Sequence, residues 1–221
     1  MDIRRDNQLL EQEKITATYT PFYSIIKRLT DIIGALFFLI FFLPLFIIIA
    51  ILIKWDDPSG TIFFAQDRVG KNQEKIKMYK FRTMCVNSES QLQELLKLNE
   101  VKGAMFKMKD DPRITKVGRH LRKYSLDELP QMFNVLIGNM SLVGPRPPLP
   151  REVLLYTSYD KQRLLVKPGI TGLWQISGRN ALSFQEMVEL DLQYIRTLSV
   201  WNDIKILLKT VIVVIKSKDA Y

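Results

Sequence analysis

Two adjacent carboxylates, Asp127 and Glu128, stand in the stretch RKYSLDELPQMFNVLIGNMSLVGPRPP. Arg119, Arg122 and Lys123 precede or flank them, and Arg146 follows, in a chain of net charge +9 and pI near 9.6. Paired acids among cations suit one chemistry: they hold a divalent ion and attack a phosphate. The ion lets a carboxylate approach a phosphoanion without repulsion. The same residues also suit helix capping. Ser125 and Glu128 have the spacing of a capping box. Alternatively Asp127 is itself the cap, with Pro130 in the first turn, where no amide donor is needed. The two readings are compatible. A helix N-terminus favours negative charge, so an Asp there stays ionised, and its free amides hold phosphate.

Other residue types narrow the chemistry. Cys85 is the only cysteine and His120 the only histidine. An intrachain disulfide, a Cys-rich zinc site and a multi-histidine metal site are therefore excluded, and both residues read as structural or surface positions. A metal would be held by carboxylate oxygens, which points to magnesium or manganese. Anion ligands are at hand. In GPRPP the prolines restrict the backbone on both sides of Arg146, and a guanidinium grips phosphate oxygens through paired hydrogen bonds; a surface arginine in a turn is the plainer alternative. In YKFRTM, Arg82 sits beside Phe81 at a strand end. In KPGITGLWQISGRN, Gly169, Gly172 and Gly178 allow close backbone approach to a ligand, with Lys167 and Arg179 at the ends. That loop has neither the P-loop nor the dinucleotide spacing, and Trp174 reads as core.

These residues need elements to hold them. Residues 32–53, IIGALFFLIFFLPLFIIIAILI, carry no charge and are long enough to span a bilayer. A polar stretch precedes them and no cleavage site follows, unlike a signal peptide. Two membrane arrangements follow. Either the segment crosses once with a kink at Pro44, or Pro44 breaks it and the chain re-enters the face it left, each half of roughly 10–12 residues being too short to cross. Lys27 and Arg28 before it and Lys54 after it fit both ends facing the cytoplasm.

Two short strands are expected near Thr61–Gln66 and Lys75–Phe81, turning at Gly70-Lys71-Asn72. A polar helix follows over SESQLQELLKLNE, then a short basic helix in DDPRITKVGRHLRKYS. An apolar-faced helix over DELPQMFNVLIG ends at Gly138, and another lies near Arg151–Lys161. FQEMVELDLQYIRTL is amphipathic. The last helix, WNDIKILLKTVIVVIK, divides between core packing and the membrane interface. The expected class is α-rich α+β: a helical catalytic domain with a small β-hairpin over residues 57–221, a Pro-broken membrane helix over 21–56 and a polar extension over 1–20.

KFRTM, DPRITKVGRHLRKYSLDELPQMFNVLIGNMSLVGPRP, KPGITGLWQISGRN and WNDIKILLKT, in this order after a Pro-broken apolar segment, resemble the monotopic phosphoglycosyl transferases. These bacterial enzymes start capsule, exopolysaccharide and related glycans. The resemblance covers Phe22 to the C-terminus. It implies transfer of a sugar 1-phosphate, such as galactose or glucose 1-phosphate, from a UDP-sugar to undecaprenyl phosphate, with release of UMP. It implies that Asp127 is a nucleophile forming a phosphoaspartyl intermediate, that Glu128 is its partner, and that the dyad binds Mg2+. It implies that Arg82, Arg122 and Arg146 line the phosphate site; Lys167 and Arg179 join them as expected substrate ligands. It implies a re-entrant helix at the cytoplasmic face of the inner membrane; some relatives carry Ser before the proline, where this chain has Leu43. A homodimer is compatible with it. A nucleic-acid partner is not expected, since no basic stripe or aromatic platform is present. The competing class is a non-enzymatic membrane-anchored scaffold of polysaccharide assembly, which leaves the SLDELP and GPRP motifs without a role.

Overall fold

The structure, a computed structural model, describes residues 15–88, 90, 108, 111–178 and 182–216. The closing SKDAY, most of the polar extension and nearly all of the helix expected over residues 88–100 lie outside the described residues.

Helix α1 (Pro21–Phe41) starts where Thr20 caps it, the Thr20 hydroxyl accepting from the Tyr23 amide, with Pro21 in the first turn. It meets α2 (Leu43–Asp56) at a 60° bend. Pro44 has no N–H to offer the Ile40 carbonyl, and its ring crowds that carbonyl. The break therefore falls at Phe42, two residues before the proline, whose place in the first turn of α2 requires no intrahelical donor. The first arm also reaches back to Pro21, so it is longer than the half-helix expected. No single helix among the described residues is long and apolar enough to cross a membrane; the bent pair meets that test together. Phe22, Ile25, Leu29, Ile33, Leu36 and Ile40 form an exposed stripe along α1 at helical spacing. The opposite face buries Tyr23, Asp31 and Ala35. On α2, Phe46, Ile49 and Ile53 pack with Phe81 and Leu121.

The expected hairpin is present, with β1 (Phe63–Val69) antiparallel to β2 (Lys75–Phe81). β1 runs past Gln66 to Val69, paired with Lys75. The turn between them uses Asn72 at φ 53° and Gln73 at φ 66°. The basic helix α3 (Lys116–Lys123) is capped by Thr115. Helix α4 (Gln131–Ile137) ends at Gly138, whose φ of 97° suits a residue without a Cβ.

Strand β3 (Ser141–Val143) pairs in parallel with β4 (Gly169–Thr171), where loops were expected. Glycine permits this approach: a Cβ on Gly169 would lie 2.1 Å from the Gly144 nitrogen. The helix expected near Arg151–Lys161 is instead one turn, α5 (Pro150–Val153), and a 3-10 stretch over Asp160–Leu165. Thr157 and Asp160 bond reciprocally, the Thr157 amide and hydroxyl donating to Asp160 Oδ2 and the Asp160 amide to Thr157 Oγ1. That local alternative stops one element and starts the next. Then come α6 (Leu173–Ser177), α7 (Phe184–Arg196), opened by a Ser183–Glu186 capping box, and α8 (Val200–Lys216). Val135, Met140, Val143, Val188, Leu192, Ile195 and Ile206 form the main core. On α8, Ile206 is buried in the core while Trp201, Leu208, Val211 and Ile212 are exposed.

Candidate active site

The acid pair stands in a 3-10 turn, Leu126–Glu128, wedged between α3 and α4. Neither expected capping arrangement forms. Ser125 is left-handed at φ 53°, its side chain makes no cap bond, and α4 begins only at Gln131. The turn closes through backbone bonds from Glu128 N to the Ser125 carbonyl and from Leu129 N to the Leu126 carbonyl, both 3.3 Å. The charge of Asp127 is therefore governed by burial and neighbouring charges rather than by a helix end.

Burial and the surrounding charges leave the two acids shifted in opposite directions. Asp127 is buried, 8% exposed. Burial raises its pKa above the ordinary value, and Glu128 adds to the rise, against Lys80 and Arg122. Asp127 was expected to be kept ionised by a helix N-terminus; here no helix begins at it, and burial works against its charge. Glu128 also feels burial, but Lys80, whose Nζ donates to Glu128 Oε1 at 2.8 Å, outweighs it together with Arg146 and Arg68, and holds the carboxyl down at about 2. Adjacent carboxylates tuned apart are the usual sign of divided labour.

Of the expected cations, two are brought to the acids. Arg122, at the end of α3, is steadied by its Nε donating to Thr83 Oγ1 at 3.0 Å. Arg146 is exposed on the loop after β3 and lines a shallow depression with Glu128, Gln131, Met78 and Ile170. Arg82 is placed elsewhere: its guanidinium donates to Asp57 Oδ2 and to the Asp57 carbonyl, both at 2.6 Å, just beyond α2. The charges influencing Lys167 are Arg28, Asp31 and Lys27 of α1 and Lys71 of the β1–β2 turn; burial first, then Arg28, lowers its pKa. Arg179 lies outside the described residues.

Two cations went unnoticed in the sequence. Lys80 shares the inward phase of β2 with Ile76 and Met78. A lysine in a buried phase needs an anionic partner, and that signal could have found it. Arg68 is buried on β1. Its Nη1 donates to the Pro147 carbonyl at 3.1 Å and its Nη2 to Gln66 Oε1 at 2.8 Å, while Val69 N donates to the Pro148 carbonyl at 2.9 Å. β1 thus braces the loop that carries Arg146. Burial, then the Arg146 charge, lowers the Arg68 pKa to about 10. No sequence pattern marked it.

Among the described residues no group of three or more His, Cys, Asp and Glu could enclose a metal. Two carboxylates are enough for Mg2+, which commonly takes one or two protein carboxylates and completes its shell with water and substrate phosphates. Asp127 and Glu128 fit that donor set.

A family model described as Bacterial sugar transferase matches residues 22–217. The chain belongs to the bacterial sugar transferases. Over 198 residues this sugar transferase is 50% identical to a protein of Streptococcus agalactiae serotype III named Galactosyl transferase CpsE, covering 89% of this chain and 44% of that one. It is 44% identical over 200 residues to the Undecaprenyl-phosphate galactose phosphotransferase of Salmonella typhimurium, covering 89% and 42%. It therefore spans under half the length of those two relatives. Against the Exopolysaccharide production protein ExoY of Rhizobium meliloti the identity is 41% over 210 residues, covering 93% and 92%.

Proposed function

We propose that this sugar transferase moves galactose 1-phosphate from UDP-galactose to undecaprenyl phosphate, in two steps through Asp127, at the start of capsule or exopolysaccharide assembly. The observation that carries the reading is the acid pair, Asp127 buried and Glu128 half-buried, its members tuned apart and ringed by Lys80, Arg122, Arg146 and Arg68. A site of that sign suits phosphoanions. The names of two relatives support galactose as the sugar, and that of one of them undecaprenyl phosphate as the acceptor.

In the first step Asp127 Oδ attacks the sugar-linked phosphorus. An O–P bond forms, the pyrophosphate bridge breaks, and UMP leaves with the bridging oxygen. Arg146 and Arg122 hold the phosphate oxygens as charge shifts to the leaving group. Lys80 keeps Glu128 ionised. In the second step a phosphate oxygen of the lipid attacks the phosphoaspartyl phosphorus, restoring the Asp127 carboxylate and forming a sugar diphospholipid. Mg2+, held by Asp127 and Glu128, would supply neutralisation of the pyrophosphate. Two displacements let both anionic substrates use one small site in turn.

The lipid acceptor also explains the helix pair. The site sits beside its foot: the Val117 amide of α3 donates to Asp56 Oδ2 at the end of α2, at 2.9 Å. In this reading the pair enters the inner membrane from the cytoplasmic face and returns, its exposed apolar stripe against lipid.

The test is a burst. Enzyme mixed with UDP-galactose and Mg2+, without lipid, is expected to release UMP up to about one equivalent and gain the mass of a hexose phosphate. Undecaprenyl phosphate then discharges the adduct. UMP release only in the presence of lipid, with no adduct, would replace the two-step route with direct transfer.

A further inference from the structure

Three charged side chains of α1 turn into the protein. Arg28 Nη1 and Nη2 donate to the Val135 and Leu136 carbonyls, at 2.7 and 2.8 Å, in the last turn of α4. Asp31 Oδ1 accepts from Ser141 Oγ at 3.0 Å and from the Leu142 amide at 2.9 Å, on β3. Lys27 Nζ donates to the Val143 carbonyl at 3.0 Å and pairs with Asp203 of α8 at 2.9 Å. The contact is close along its length: a Cβ on Gly34 would lie 2.8 Å from Leu142 Cδ1, and one on Gly138 3.2 Å from Arg28 Nη2.

The gripped segments are those that carry the site. α4 follows directly from the turn of Asp127 and Glu128, and β3 leads directly into Gly144, Pro145 and Arg146. Both are held from behind by α1, whose other face is apolar and exposed. We propose that Lys27, Arg28 and Asp31 are positioning residues that set the distance between the acid pair and Arg146, so that the seating of the bent helix pair is felt at the phosphate site. This rests on the proposed transfer through Asp127. The leverage is large, because misplacing a catalytic group by about 1 Å costs on the order of 10²-fold in rate. The geometry also separates the hydrogen bonds from the charges. Asparagine at position 31 keeps an oxygen to accept both bonds, whereas lysine at position 28 cannot reach two carbonyls as a planar fork does.

The experiment uses the full chain in nanodiscs of phosphatidylethanolamine and phosphatidylglycerol, with variants Arg28→Lys, Arg28→Met, Asp31→Ala and Asp31→Asn. Burst amplitude counts folded, competent sites; the burst rate constant reports their geometry. Both Arg28 variants and Asp31→Ala are expected to keep an amplitude near one equivalent while the rate constant falls about ten- to a hundredfold. Asp31→Asn is expected to stay within about twofold of the parent, since it keeps both bonds. Amide hydrogen exchange is expected to quicken both in residues 133–139 and in residues 141–146. Loss of amplitude at an unchanged rate constant would make these residues merely structural and overturn the proposal. So would exchange changes confined to residues 21–41. If the parent shows no burst, the transfer reading fails, and the exchange measurement still decides whether α1 holds the two segments.

Discussion

Lys80→Met should separate the two acids most sharply. Its ammonium lies 2.8 Å from Glu128 Oε1, with the two side chains 15% and 27% exposed. It is also the largest influence lowering the pKa of both Glu128 and Asp127. A hydrogen bond to a charged group contributes about 1.5–3 kcal/mol. If that is expressed in the transition state, the burst rate at neutral pH falls roughly 10- to 100-fold. The pH profile carries the sign. In the proposed transfer Asp127 attacks as the anion, and its pKa is already raised by burial and Glu128. Removing Lys80 raises it further, so the acid limb of the burst rate moves to higher pH. Glu128→Gln removes the neighbouring negative charge instead, so the acid limb moves to lower pH even as the plateau falls with the loss of the proposed metal ligand. Rapid-quench measurement of UMP across pH, with Lys80→Arg as a charge-keeping control, reads both effects. A Lys80→Met rate within threefold of the parent with an unmoved limb, or limbs moving the same way in the two variants, refutes the assigned electrostatics.

Asp127→Asn is expected to abolish burst and adduct, a loss of at least about 10³-fold. It should also raise the melting temperature at neutral pH: the fold favours protonated Asp127, so that contribution is full below the ordinary carboxylate pKa and is lost as pH rises through the elevated one. The advantage should shrink on acidification, and a lower melting temperature at pH 7 would contradict the pKa direction. Arg146→Lys should cost roughly 10²-fold in burst rate, because an ammonium cannot reproduce the planar fork; a near-parental rate would remove Arg146 as a paired phosphate ligand. For topology, with Cys85 replaced, single cysteines near Gln8 and near Ser59 should both resist impermeant thiol reagent in intact cells. Labelling near Gln8 alone would establish a full crossing, and Pro44→Leu should move the chain toward that pattern.

What could be read in the sequence follows from how local each feature is. The acid pair, the Pro-flanked Arg146, the hairpin and the Pro-driven break in the apolar segment are all written in a few consecutive residues. Ser125, by contrast, matched a capping box yet adopts a left-handed conformation with no cap bond, because α4 starts later, at Gln131. Strands β3 and β4 are three residues each, too short to show a period. Arg82 and Lys167 carry the right charge in suggestive motifs, but Asp57 engages the first and the second faces α1. Arg68 braces the site from a strand whose sequence gives no hint of it. The charges Lys27 and Arg28 flank an apolar segment as interfacial charges do, yet both are turned inward.

Position alone does not say which carboxylate attacks, but commitment does. Glu128 is tied to Lys80 through a direct ion pair, and its low pKa reflects that bond. Arg122 is held on Thr83 and Arg68 on the Pro147 carbonyl, so neither can collapse onto a neighbouring acid. Among the described residues Asp127 has no ion pair within 4 Å, although four cations influence the dyad. A nucleophile needs an oxygen that is free to leave its present contacts and form a bond to phosphorus, and a carboxylate already neutralised by a lysine is the poorer candidate. Burial adds to the distinction, because an unpaired buried anion is the costlier one to hold. The arrangement therefore fits the proposed transfer, with Asp127 as the group that takes the phosphoryl unit and Glu128 as the fixed charge beside it.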